Sequence, residues 1–129
     1  MDRKRLLLLI SATVIVLTCL GAFLVLEMLE HPIRHRVDDI LYDNYNHYLA
    51  CEDLPVTDEV RSAIKTHQDV LDAVDQLAPG IVGWQMEEVC PGRGDILFWY
   101  GSHDQRNQVE ALIGSEERFF GIPIRMRNQ

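Results

Sequence analysis

The sequence predicts an α+β protein: one N-terminal transmembrane helix, then a small two-layer domain in which helices cover a three-stranded sheet. Three observations predict it. Residues 6–26 carry no formal charge and follow the basic cluster Arg3, Lys4 and Arg5. Apolar residues recur at spacings of three and four over 57–77, and again in a shorter stretch after residue 102. Between and after these lie segments in which apolar and polar residues alternate, or apolar residues run on without a break, as strands require.

The uncharged run comes first. At about 1.5 Å rise per residue it would be roughly 30 Å long as a helix, the thickness of a bilayer's hydrocarbon core. A cleaved signal peptide has a similar basic start, but its apolar region is only about 7–15 residues long and ends at a small-residue site. Here the run ends at Phe23-Leu24-Val25-Leu26-Glu27, a poor cleavage site. Cys19 follows Leu17 and Thr18 and precedes more apolar residues; it reads as a buried or lipid-facing thiol rather than an acylation site. The expected organisation is a cytoplasmic basic tail over 1–5, a transmembrane helix over 6–29, a juxtamembrane helix and linker over 30–56, and an extracytoplasmic domain over 57–129. Arg3, Lys4 and Arg5 before the span outweigh Arg34 and Arg36 after it, which favours a cytoplasmic N-terminus.

Cysteine use agrees with that orientation. Outside the span only Cys51 and Cys90 remain, an even number in a domain facing an oxidising compartment. Pairing them closes a loop of roughly 40 residues, worth on the order of 4 kcal/mol on chain-entropy grounds. The alternative is two buried free thiols.

Charge removes whole function classes. The chain has a net charge of −8. Arg3, Lys4 and Arg5 are balanced by Asp2, Glu27 and Glu30, so the acidity belongs to the residues after the span. An acidic domain without a basic, aromatic-interleaved stripe repels phosphates, which disfavours nucleic acid and anionic lipid as partners.

Each later element has a local reason. Pro32 bends or ends the membrane helix. Val37, Ile40, Leu41, Tyr45, Tyr48 and Leu49 fall at spacings of three and four and predict an amphipathic helix over 36–50. Thr57 reads as an N-cap with Asp58 and Glu59 in the first turn. Val60, Ile64, His67, Leu71, Val74 and Leu77 form one stripe of a helix that stops before Pro79-Gly80. Val82, Trp84 and Met86 alternate with Gly83, Gln85 and Glu87; Pro91-Gly92-Arg93-Gly94 is turn chemistry, and 96–100 is a second strand, making a hairpin. Ser102 and Gln105 have capping-box spacing, and Gly114 closes the short helix they open. Ile122, Ile124 and Met126 mark the last strand.

In this order the final strand runs parallel to the second and is expected on the free edge of the first, with Pro123 at a sheet edge. Residues 57–127 so arranged resemble a truncated ferredoxin-like plait, a likeness of fold that implies no activity. No motif marks a particular family.

The second strand is apolar on both faces. If Ile96, Phe98 and Tyr100 meet the helices, Leu97 and Trp99 point the other way and need a cover. Helix 36–50 could fold over them, fastened by Cys51 and Cys90. Otherwise Leu97 and Trp99, with Arg125 and Arg127, form a docking patch of interface composition.

Chemical motifs are weak. His31 and His35 could share a helix face, but Pro32 intervenes and no third ligand is fixed relative to them. His67 reads as a hydrogen-bonded core histidine. His103, beside Asp104 in a first helical turn, reads as part of a cap, with no nucleophile elbow nearby. Arg93-Gly94-Asp95 spells an adhesion tripeptide within turn composition, and Gly92-x-Gly94 enters a strand rather than a helix, unlike a phosphate loop. The expectation is a non-enzymatic accessory subunit of a membrane assembly, contacting the bilayer and another membrane or extracytoplasmic protein, with no metal or cofactor. The competing expectation is a small enzyme or metal-binding domain using His67, His103 and nearby carboxylates.

Overall fold

A computed structural model describes residues 3–30, 32–115 and 117–129, without the side chains of 3, 6–9, 27, 29, 30 and 32. The chain divides into two compact units, Met1–Val37 and Asp38–Gln129.

The first unit is built on helix α1, Arg3–Glu30, 28 residues long. Every side chain from 10 to 26 is exposed. Among the described residues no helix is long and apolar enough to cross a membrane; the side chains of Leu6 to Leu9, which open the uncharged run, are outside those described. Helix α2, Pro32–Leu41, comes next.

The second unit is a small mixed α+β domain with a four-stranded sheet. Helices α3 (Thr57–Thr66), α4 (Gln68–Leu77) and α5 (His103–Ile113) lie with strands β1 (Gly83–Cys90), β2 (Arg93–Tyr100), β3 (Arg118–Phe119) and β4 (Ile122–Asn128). Helix α3 packs on β1 and β2, α4 on β1 and α5, and α5 on β2. Between helices and sheet, Val60, Leu71, Val74, Ile96, Phe98, Tyr100, Val109, Phe119, Ile124 and Met126 are excluded from solvent.

The sheet corrects the expected three strands and their order. It reads β1-β2-β4-β3, with β4 parallel to β2 and directly beside it. The apolar character of β2 explains this: a strand with nothing polar from Ile96 to Tyr100 is best buried between two neighbours, as central strands are. The mixed strand β1 takes the edge. Pro123 is therefore not on an outer strand, yet it conflicts with nothing. The β2 ladder begins at Ile96 and Ile124, and Pro123 pairs instead with Arg118 of the two-residue β3. That short strand was not legible because its turn is Phe120-Gly121, with φ of +47° and +94°. Both central residues at positive φ make a primed hairpin turn, normally signalled by Asn-Gly or Asp-Gly.

Two helix expectations also change. The stripe over 57–77 is broken at His67, which ends α3 and precedes α4 with φ −119° and ψ 33°. Thr57 is the first helical residue rather than the cap; Val56 takes that place. The helix expected over 36–50 stops at Leu41, and Asp43 and Tyr48 adopt φ of +54° and +51°. Residues 42–50 instead form an extended strap. Its Tyr45 exchanges backbone hydrogen bonds of 2.9 and 2.8 Å with Met126, covering the edge of β4 where β3 has ended.

The remaining local signals hold. The hairpin turns at Pro91 and Gly92, the latter at φ +71°. Ser102 caps α5 by accepting from the Gln105 N–H, Gln105 returns a bond to the Gly101 N–H, and Gly114 closes the helix at φ +73°.

Candidate functional site

The strap carries Asp43, Tyr45 and His47, and each reaches a different part of the domain. His47 lies over the sheet face away from the helices. Its Nε2 is 2.9 Å from Asp95 Oδ2, and its Nδ1 accepts from the Leu49 N–H at 3.0 Å. An acceptor at Nδ1 leaves the ring proton on Nε2, so the imidazole donates to the carboxylate and has no lone pair left for base chemistry. His47 is a fastening.

Asp95 has no solvent exposure. Arg125 grips it from the neighbouring strand through Nε to Oδ2 at 2.5 Å and Nη2 to Oδ1 at 2.8 Å, and also reaches Glu87 on β1. Burial by itself would raise the Asp95 pKa, but the donors His47 and Arg125 outweigh it and hold the carboxyl below its ordinary range. The hydrogen bonds to Asp95, against the opposing effect of burial, push Arg125 above its usual value.

This network changes how the predicted docking patch looks. Leu97 is only 8 % exposed, Arg125 is engaged, Trp99 is half-buried and Arg127 is exposed. The helix expected to cover this face ends at Leu41, and it is the strap's His47 that reaches Asp95 here. Trp99 lies across Gly83, its partner in the β1 register, where any Cβ would collide with the indole ring. Cys51 and Cys90 form the disulfide, with Cα atoms 5.9 Å apart, and tie the strap's far end to the last residue of β1. The adhesion tripeptide is not displayed: Asp95 is consumed below the strap, and Arg93 Nη1 bonds to the carbonyls of Leu54 and Glu52.

Asp43 forms the second centre. Its carbonyl accepts from the Tyr100 hydroxyl. Its carboxylate accepts from Arg106 Nη1 at 2.8 Å and lies 3.1 Å from His103 Nδ1 through either oxygen. Arg106 Nε also donates to Glu110 at 2.7 Å. Burial pushes the Tyr100 phenol up to about 12. Burial opposes ionisation of Arg106, yet its bonds to Glu110 and Asp43 raise it further. Asp43, His103, Arg106 and Glu110, with Asp39, Ile40, Asn107 and Asn128, line an open cavity of about 600 Å³. A carboxylate that holds His103 Nδ1–H leaves Nε2 as the imidazole's free position.

His67 is elsewhere. Its ring stacks on Phe120 at 3.5 Å with planes 3° apart and meets Phe119 edge-on at 6.0 Å. His31 lies outside the described residues, so the His31 and His35 pair is not described. Among the described residues no group of three or more His, Cys, Asp or Glu could hold a metal ion. Sequence reading missed Asp43, His47 and Arg106 as site residues. The Arg106 and Glu110 spacing of four was a usable signal, whereas nothing local pointed Asp43 or His47 at partners so distant in the chain.

Compared with protein-family models, with curated proteins and with solved structures, the chain matches none of them.

Proposed function

We propose that the protein is a single-pass membrane-anchored domain, held outside the cytosol, that acts by binding another protein as an accessory subunit of a membrane assembly. The observation that carries this reading is α1: its apolar side chains from Ile10 to Leu26 are exposed all round. A helix apolar on every side needs an apolar surrounding, and the bilayer supplies one. The Cys51 and Cys90 disulfide supports an oxidising compartment for the domain, and the basic Arg3, Lys4 and Arg5 support a cytoplasmic N-terminus. Of the four residues of the expected patch, Trp99 and Arg127 are register partners on β2 and β4 and are reachable; an aromatic beside an arginine suits an interface centre.

The test is membrane extraction at alkaline pH and protease protection of the intact chain, followed by purification in mild detergent with and without Trp99→Ala. The expected result is retention in the membrane, protection of the C-terminal domain and a co-purifying protein that Trp99→Ala releases. Recovery from the aqueous fraction overturns the reading.

One observation favours a second reading. The Asp43 carboxylate orients His103 at the mouth of a cavity, the arrangement of a general base. In that case His103→Ala abolishes a turnover that Trp99→Ala leaves intact.

A further inference from the structure

Within the unit Asp38–Gln129 the three most exposed large apolar side chains are consecutive: Ile40 at 75 %, Leu41 at 73 % and Tyr42 at 60 %. Scattered exposed apolar residues are ordinary, but an uninterrupted trio needs a covering surface. Asp43 shows why the chain presents it. The strap leaves α2 at Leu41, and Asp43 is drawn to Arg106 and Tyr100. The bonds of Asp43 thus fix the trio at the end of α2.

We infer that Ile40, Leu41 and Tyr42 insert into the interface of a zwitterionic bilayer as a second, shallow membrane contact. This rests on the membrane-anchored reading. Three features choose lipid over a protein partner. The trio comes soon after the apolar run of α1 in the chain, so a bilayer holding α1 is always at hand, and tethering raises the effective concentration of the second contact. Tyr42 combines an apolar ring with a polar hydroxyl, the residue type of membrane boundaries. Arg34 and Arg36, on the same short helix, suit the phosphate level of headgroups, whereas the acidity of the chain as a whole argues against a strongly anionic surface. Ile40 also lines the cavity of Asp43 and His103, so that cavity would open at headgroup level.

The test uses the full chain carrying Ile40→Trp in phosphatidylcholine vesicles with brominated or ordinary acyl chains. Subtracting the unsubstituted chain removes Trp84 and Trp99. The expected result is loss of the added emission in brominated lipid, with resistance to acrylamide in the water. Leu41→Trp, at a position of similar exposure, should behave alike. Added emission that survives bromine and is quenched by acrylamide, while the chain floats with the vesicles, overturns the inference and leaves the anchor standing. Added emission shielded from both quenchers overturns it too and places a protein surface over the trio. A chain that does not float with vesicles overturns the anchored reading and this inference together.

Discussion

His47 Nε2 donates to Asp95 Oδ2 across 2.9 Å, joining the strap to the central β2 strand over a sequence separation of 48 residues. That one bond organises the sheet face opposite the helices. It brings the strap's His47 over Asp95, a carboxylate with no solvent exposure. The carboxylate tolerates complete burial because Arg125 meets both of its oxygens.

Removing the cation should therefore cost more than the bond it makes. Arg125→Met leaves Asp95 buried without its counter-charge, and the expected loss is about 3 kcal/mol. Arg125→Lys should fall between, since an ammonium cannot engage both oxygens and Glu87 in one plane. Denaturant titration of the three chains in one detergent checks the order.

The same pair dictates a response to acid. Asp95 has a lower pKa folded than its unfolded value of about 3.9. Above that pH its contribution to stability is complete. As pH falls through about 4 toward the folded value, the unfolded chain binds the proton first and the contribution is lost. The denaturation midpoint should drop over that window, and Asp95→Asn should flatten the drop while lowering stability at neutral pH.

The disulfide closes a separation of 39 residues and pins the strap beside β1. Replacing both Cys51 and Cys90 by Ser should cost on the order of 4 kcal/mol. Backbone amides of the strap, Leu49 among them, should then exchange hydrogen faster, while those of α5 change little. Exchange measured by mass spectrometry distinguishes the two regions.

Gly83 is required for space, since its partner Trp99 occupies the place of a side chain. Gly83→Val should force the indole outward and cost about 1–3 kcal/mol, as overpacking does. Tryptophan emission should shift to longer wavelength in the folded chain. An unshifted spectrum would show that the strand, not the ring, gives way.

Ser102, Gln105 and Gly114 delimit α5 in the sequence because their capping bonds join residues three or four apart, and Pro91-Gly92 marks the hairpin for the same local reason. The alternation in β1, the apolar run of β2 and the stripe of Val60, Leu71 and Val74 likewise announce themselves, since periodicity records which side faces the core. The uncharged run of 6–26, the acidity and the two pairable cysteines are properties of composition, equally legible. What only the tertiary structure decided lies between distant segments. Tyr45, Tyr48 and Leu49 have helical spacing, yet the open edge of β4 and the buried Asp95 draw their segment out as a strap. The place of β4 beside β2, the grip of His47 and Arg125 on one carboxylate, and the meeting of Asp43 with His103 depend on which surfaces remain to be covered once the local elements have formed. No short window of sequence carries that information.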